Sequence, residues 1–200
     1  MKVVVIGATG TIGRAVADAL AARHEVVRVA RHGGDHTGDI EDAASLQAMF
    51  DAVAPFDAVV CCAGSASFKP LEQLGEDDFH VGLNSKLMGQ VNVFRLGLPH
   101  VSDGGSITLT SGVLAFEPMP GGAAISPVNA ALESFANAAA LEVPRGVRVN
   151  VVSPPWVSET LQAMGQDPSH GMPAAQVARA YVEAVEGTGN GITLDARTFT

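Results

Sequence analysis

A glycine turn at the start of the chain constrains its fold more than any other feature. Gly7-Ala8-Thr9-Gly10-Thr11-Ile12-Gly13 follows the apolar run Val3–Ile6 and opens the amphipathic stretch Ile12–Ala22. Strand, glycine turn and helix in that order bring backbone amides close to a pyrophosphate. The glycines permit the tight turn, the approach of backbone to phosphate and the close packing of helix on strand. On this reading Gly7, Thr9, Gly10, Thr11, Ile12 and Gly13 are candidate dinucleotide contacts. An ordinary glycine-rich turn is the other reading of the same residues.

The rest of the chain alternates β-branched runs with amphipathic stretches. Strands are expected at Lys2–Ile6, Glu25–Ala30, Ala58–Cys61, Ser106–Thr110, Val147–Val152 and Ile192–Asp195. Helices are expected at Ile12–Ala22, Asp42–Val53, Glu76–Leu98, Pro127–Glu142 and Ala174–Val185. In the long helix Leu83, Leu87, Val91 and Phe94 recur at helical spacing and form the expected core face. The first and third strands are apolar throughout, as in a parallel sheet covered on both faces. Repeated βα units then imply a doubly wound, three-layer α/β fold, as one domain over residues 1–200. Trp156–Pro173 contains Pro, Gly and Met with weak periodicity, and is expected as a lid over the C-terminal edge of the sheet.

Composition narrows the function classes. The net charge of -9 argues against a nucleic-acid surface. No apolar run approaches roughly 18–20 residues, so no membrane span is expected, and no signal peptide precedes the first strand. Cys61 and Cys62 are adjacent, which disfavours a disulfide, and no spacing suggests a metal site. A reduced, cytoplasmic setting is the expectation. There is one tyrosine, Tyr181, and only Lys2, Lys69 and Lys86 are lysines. Any chemistry needing a Tyr–Lys pair must find it among those four.

The end of the second strand discriminates between nucleotides. A carboxylate there would accept hydrogen bonds from a ribose 2′-hydroxyl, but this strand runs into Arg31 and His32. Arg31 could meet a 2′-phosphate, with Arg14 assisting, which favours NADP(H) over NAD(H). The other reading of Arg31 is a solvated loop charge. Asp35 is near but lies beyond a Gly-Gly turn.

These motifs, in this order, resemble the short-chain dehydrogenase/reductase family across nearly the whole chain. The resemblance implies a Rossmann-type fold and a cofactor path. Gly38-Asp39-Ile40 is similar to the segment that touches adenine, and Cys61-Cys62-Ala63-Gly64 is similar to the family's Asn-Asn-Ala-Gly stretch. Thr108-Leu109-Thr110-Ser111 resembles the strand ending in the catalytic serine. Asn150–Pro155 resembles the segment beside the nicotinamide. By resemblance Asp39, Ile40, Cys62, Ala63, Gly64, Thr110, Pro154, Val157 and Thr160 join the cofactor contacts. The short interval Arg31–Gly38 implies that a customary helix is missing, with the strand there rudimentary or absent.

The departures fall on the chemistry. The resemblance implies an Asn, Ser, Tyr, Lys tetrad, and the matching positions here are Lys86, Ser111, Ile125 and Asn129. Lysine and asparagine stand exchanged. On one reading Lys86 reaches the volume of the usual lysine, bonds the nicotinamide ribose or supplies a proton, and is met by Asn129. On the other, Lys86 is a solvated helix lysine and Asn129 a polar residue near a helix start. Ser111 is a hydrogen-bond donor but a weak acid. Ser111, Lys86 and Asn129 are the candidate catalytic residues. His170 is a lid candidate, and Met88, Met119, Met164 and Met172 are candidate pocket residues.

Two function classes remain. One is an NADP(H)-dependent oxidoreductase that reduces a small carbonyl-like substrate. The other is a sensor or scaffold that binds the nucleotide without turnover. The resemblance also implies a homodimer or homotetramer paired through Glu76–Leu98 and Pro127–Glu142.

Overall fold

The computed structural model describes residues 1–199. Seven strands form one parallel sheet: β1 (Lys2–Ile6), β2 (Glu25–Ala30), β3 (His36–Thr37), β4 (Phe56–Cys61), β5 (Val101–Thr110), β6 (Arg148–Ser153) and β7 (Thr193–Asp195). Their order is β3-β2-β1-β4-β5-β6-β7. The order therefore reverses between β1 and β4, and a crevice opens above their C-terminal ends. β3 is two residues long and no helix lies between β2 and β3, as the short interval after Arg31 implies.

Alternation along β1 explains the apolar run. Val4 and Ile6 point into one core with Leu46, Phe50, Val93, Phe94 and Leu132. Val3 and Val5 point into the other with Val16, Leu20, Val177 and Tyr181. Helices α2 (Ala43–Val53), α4 (Gly89–Gly97) and α5 (Ser126–Ala139) cover the first face. Helices α1 (Thr11–Ala21) and α7 (Ala174–Glu186) cover the second. At about 25 cal/mol per Å² of buried apolar surface, these two layers are the main source of stability.

The expected long helix is not continuous. It resolves into α3 (Glu76–Val81), a π-helical turn over Gly82–Met88, and α4. The π turn inserts a residue into the helical phase and rotates the downstream helix. Leu83, expected in the core, is 42% exposed, and Ser85, Lys86 and Gln90 take inward positions. Periodicity alone pointed the wrong side chain inward.

The expected lid is tied down at both ends. Val157 and Met172 form a parallel bridge, Met172 N–H donates to the Trp156 carbonyl at 2.8 Å, and Ser158 N–H donates to the Met172 carbonyl at 2.9 Å. Between them lies α6 (Ser158–Ala163), whose Glu159 carboxylate accepts from the first amide of α7, at Ala174.

The glycine turn meets its steric requirement at Gly13. A Cβ there would lie 2.1 Å from the Gly7 carbonyl oxygen, so only glycine lets α1 start this close to β1. Gly13→Ala should destabilise the protein by about 1–3 kcal/mol, the usual range for overpacking a tight contact. The check is a urea midpoint followed by far-UV circular dichroism, and an unchanged midpoint would show that the turn can relax.

Candidate functional site

Two cavities flank the switch point. The first, of about 310 Å³, runs from the glycine turn to the end of β2 and across to the β4 loop. It is lined by Gly7, Thr9, Gly10, Arg31, His32, Asp39, Ile40, Cys62, Ala63 and Gly64, all expected from the sequence, together with Glu41, Ser65 and Ser85. The second, of about 150 Å³, is walled by Ser111, Ile125, Asn129, Pro154, Trp156, Val157 and Thr160.

Thr11, Ile12 and Gly13 begin α1 directly after Thr9 and Gly10 of the first cavity, and Thr11 itself borders the neighbouring groove. Their amides have no hydrogen-bond partner among the described residues, and the helix has no side-chain cap. An uncapped helix start presents free N–H groups and a positive dipole end, which suits an anion such as a pyrophosphate. The residues present therefore fit a dinucleotide. Arg31 is exposed and makes no ion pair among the described residues. Asp35 is turned away, its Oδ2 accepting from the Arg28 amide at 2.8 Å. Asp39 Oδ1 accepts from Glu41 N–H at 3.0 Å, which fixes the loop beside the cavity. Arg14 donates to the Thr9 carbonyl and lines a neighbouring groove instead of the cavity that holds Arg31.

Lys86 sits on the π turn, against Gly64. A Cβ on Gly64, whose φ is +134°, would come 3.0 Å from the Lys86 Cα, so the glycine admits the helix. Lys86 is buried yet makes no hydrogen bond or ion pair among the described residues. Burial lowers its pKa to about 8. Burial in turn raises the Cys61 thiol to about 12 and the Cys62 thiol further, so both stay protonated and unreactive.

Lys86 and Asn129 do not meet: no hydrogen bond joins them among the described residues. Asn129 lies in the second cavity with Ile125, one helical turn apart. Its Oδ1 is buried without a partner. Ser111 faces the same cavity, and its Oγ donates to Glu133 Oε1 at 2.6 Å.

Thr110 is committed internally. Its Oγ1 donates to the Cys61 carbonyl at 2.6 Å and lies 2.7 Å from the Tyr181 hydroxyl. Its main-chain N–H and C=O are clasped by the Gln90 side-chain amide at 2.8 Å each. Thr110 thus positions Ser111 and lines neither cavity. Tyr181 is fully buried and lines neither. His170 and Met164 also line neither. Met119 instead accepts a 3.3 Å contact from Trp156 Nε1, and Trp156 packs edge-on against Phe68 at the rim.

Gln90 and Glu133 carry weight that the sequence reading passed over. Each is one helical turn beyond a flagged residue, Lys86 and Asn129, and that spacing is the signal that would have found them. Among the described residues no cluster of His, Cys, Asp or Glu could hold a metal ion, and no helix is long and apolar enough to cross a membrane.

Comparison with known proteins bears on these cavities. A family model described as enoyl-(acyl carrier protein) reductase matches residues 4–188. The crystal structure of lin1944 from Listeria innocua is 40% identical, with a TM-score of 0.93 over 98% of both chains. A small-chain dehydrogenase solved in complex with NADPH is 26% identical, with a TM-score of 0.85 over 98% of this chain and 95% of that one. Hydroxynaphthalene reductase arp2 of Aspergillus fumigatus is 33% identical over 106 residues, which are 52% of this chain. The chain spans about two fifths of that curated relative's length, the matched part being 39% of it.

Gln90→Leu should leave the Thr110 amide and carbonyl unpaired in the core, at about 1–3 kcal/mol for each buried group. Chemical denaturation should show the loss, and an unaltered midpoint would mean that water or a rearranged strand replaces the clasp.

Proposed function

From the premise that the chain belongs to the short-chain dehydrogenase/reductase family, we propose an NADP(H)-dependent oxidoreductase. It reduces a small carbonyl-like substrate at a non-standard site of Lys86, Ser111 and Asn129. The observation that carries this reading is the row of free amides at Thr11, Ile12 and Gly13, next in the chain to Thr9 and Gly10 of the cavity that Arg31 borders. Bound there, the reduced cofactor supplies a hydride to the substrate carbon.

The chain's own residues divide the remaining work. The amides of α1 hold the pyrophosphate. Arg31 meets the 2′-phosphate as a charge-assisted donor, with His32 beside it. Asp35, bound to the Arg28 amide, offers no carboxylate to a 2′-hydroxyl. Asp39 and Ile40 border the adenine end, and Cys62, Ala63 and Gly64 the ribose. Pro154, Val157 and Thr160, expected as cofactor contacts, line the second cavity and not the first, and there they wall the nicotinamide end, where Ser111 and Asn129 orient the carbonyl. Lys86 adds an unpaired ammonium, which stabilises negative charge close to the cofactor. The same reading includes pairing of copies through α3–α4 and α5, where Leu83 and Met88 stand exposed.

Ile125 favours the second reading, a nucleotide-binding sensor. It places an apolar side chain in the cavity beside Ser111, where a strong proton donor would otherwise stand. Steady oxidation of NADPH by a panel of ketones, imines and quinones supports the enzyme, and binding without turnover supports the sensor.

Titration of reduced-cofactor fluorescence should show tighter binding of NADPH than of NADH. Arg31→Ala should cut that preference about tenfold or more, since a hydrogen bond to a charged group is worth about 1.5–3 kcal/mol. Lys86→Met should weaken binding of both cofactors. An unchanged preference in the Arg31 variant would remove the 2′-phosphate assignment, and unchanged binding and turnover in the Lys86 variant would remove its role.

A further inference from the structure

The second cavity contains a hydroxyl but no strong acid, and behind that hydroxyl stands a buried carboxyl group. Ser111 Oγ lies 2.6 Å from Glu133 Oε1. Glu133 is buried in α5, one turn beyond Asn129, and its other side borders a groove on the protein surface. That groove, about 620 Å³, is walled by Ala130, Ser134, Asn137 and Thr193. Glu133 and Ser111 thus span the wall between solvent and the substrate cavity.

We propose that Glu133 is a positioning and proton-supplying residue that acts through Ser111, relaying a proton from the surface groove to the substrate oxygen. This rests on the reductase reading above. As the carbonyl carbon gains a hydride with its electron pair, the nicotinamide is oxidised and the carbonyl reduced. With Glu133 protonated the 2.6 Å bond runs the other way, the carboxyl group donating to Ser111 Oγ, which frees the serine proton for the carbonyl oxygen to form its new O–H bond. The O–H bond of Ser111 is restored by the proton of the Glu133 carboxyl group, and the resulting carboxylate is reprotonated by water in the groove. Neither Ile125 nor the buried Tyr181 enters the sequence.

The surroundings of Glu133 suit the task. The groups facing it are the hydroxyls of Ser111, Ser153 and Thr193, with Asn129 and Asn137 a turn away on its own helix. None is charged. Burial raises the carboxyl pKa, while the three hydroxyls favour the ionised form and limit the rise. The protonated form that the relay needs exists below the raised pKa. Reduction should therefore be fast at low pH and fall as pH rises through the Glu133 titration. The unpaired Asn129 Oδ1 supplies a second polar atom toward which a substrate hydroxyl or amide can turn.

The test runs without and with turnover. Carbon-13 NMR of labelled glutamate carboxyls should show one group titrating above the ordinary carboxylate range, absent in Glu133→Gln. Its midpoint should move further up in Ser111→Ala, which removes a bond favouring the ionised form. With NADPH and 9,10-phenanthrenequinone as probe, kcat should fall with pH along the same titration. Glu133→Gln should lower kcat about 100-fold or more and flatten the profile, with KM for NADPH unchanged. Glu133→Asp should keep a pH limb, shifted in position. NADPH binding with a normal pH limb in Glu133→Gln overturns the relay and leaves the cofactor reading intact, as does binding without quinone turnover. Absence of NADPH binding overturns both. Should Glu133→Gln fail to fold, an ordinary titration of Glu133 in the native protein, or a kcat profile independent of it, overturns the relay.

Discussion

The contact between the start of α1 and the carbonyl of Gly7 sets the rest of the site. With no side chain at residue 13, α1 begins directly after the C-terminal end of β1, and its first amides have no partner among the described residues. The strand order reverses at that point, so the neighbouring helix crosses to the other side of the sheet and leaves the crevice open. One steric allowance thus fixes where an anion can be held. The end of β2 then fixes what lies at its far side, namely the unpaired guanidinium of Arg31.

A second group of constraints aligns the far wall. Gln90 clasps the main chain of Thr110, Thr110 bridges Cys61 and Tyr181, and the strand end so held presents Ser111 to its cavity. All of these side chains are buried and paired, as polar groups in a core must be. Tyr181, the only tyrosine, is therefore a structural strut, and its hydroxyl supports the strand without reaching the cavity. Lys86 and Asn129 Oδ1 are the contrasting cases: each is buried and each lacks a partner. Thr108 Oγ1, Ser126 Oγ and His24 Nδ1 are buried without partners too, but among these only Asn129 also lines a cavity, where a ligand can complete the bonding.

The sequence was most legible where chemistry and spacing are local. Glycine spacing located the first cavity, and apolar runs of β1 and β4 signalled a sheet buried on both faces. The interval after Arg31 was too short for a helix, and β3 is indeed a two-residue strand. Legibility failed where one inserted residue changes a phase. The π turn over Gly82–Met88 turned Leu83 outward and Lys86 inward, and no period-counting argument detects that insertion. It failed again for Gln90 and Glu133, whose roles depend on partners about twenty residues away in sequence and brought close only by the fold. The expected meeting of Lys86 with Asn129 is absent for the same reason. Lys86 packs against Gly64 while Asn129 lines the second cavity, and their separation is a property of the fold.

The account depends on the first turn of α1 holding the dinucleotide's phosphates, and amide hydrogen exchange reads that turn directly. Adding NADPH to the protein should slow exchange across residues 9–14, with a smaller effect near Arg31. Exchange at those amides left unchanged at saturating cofactor would contradict it.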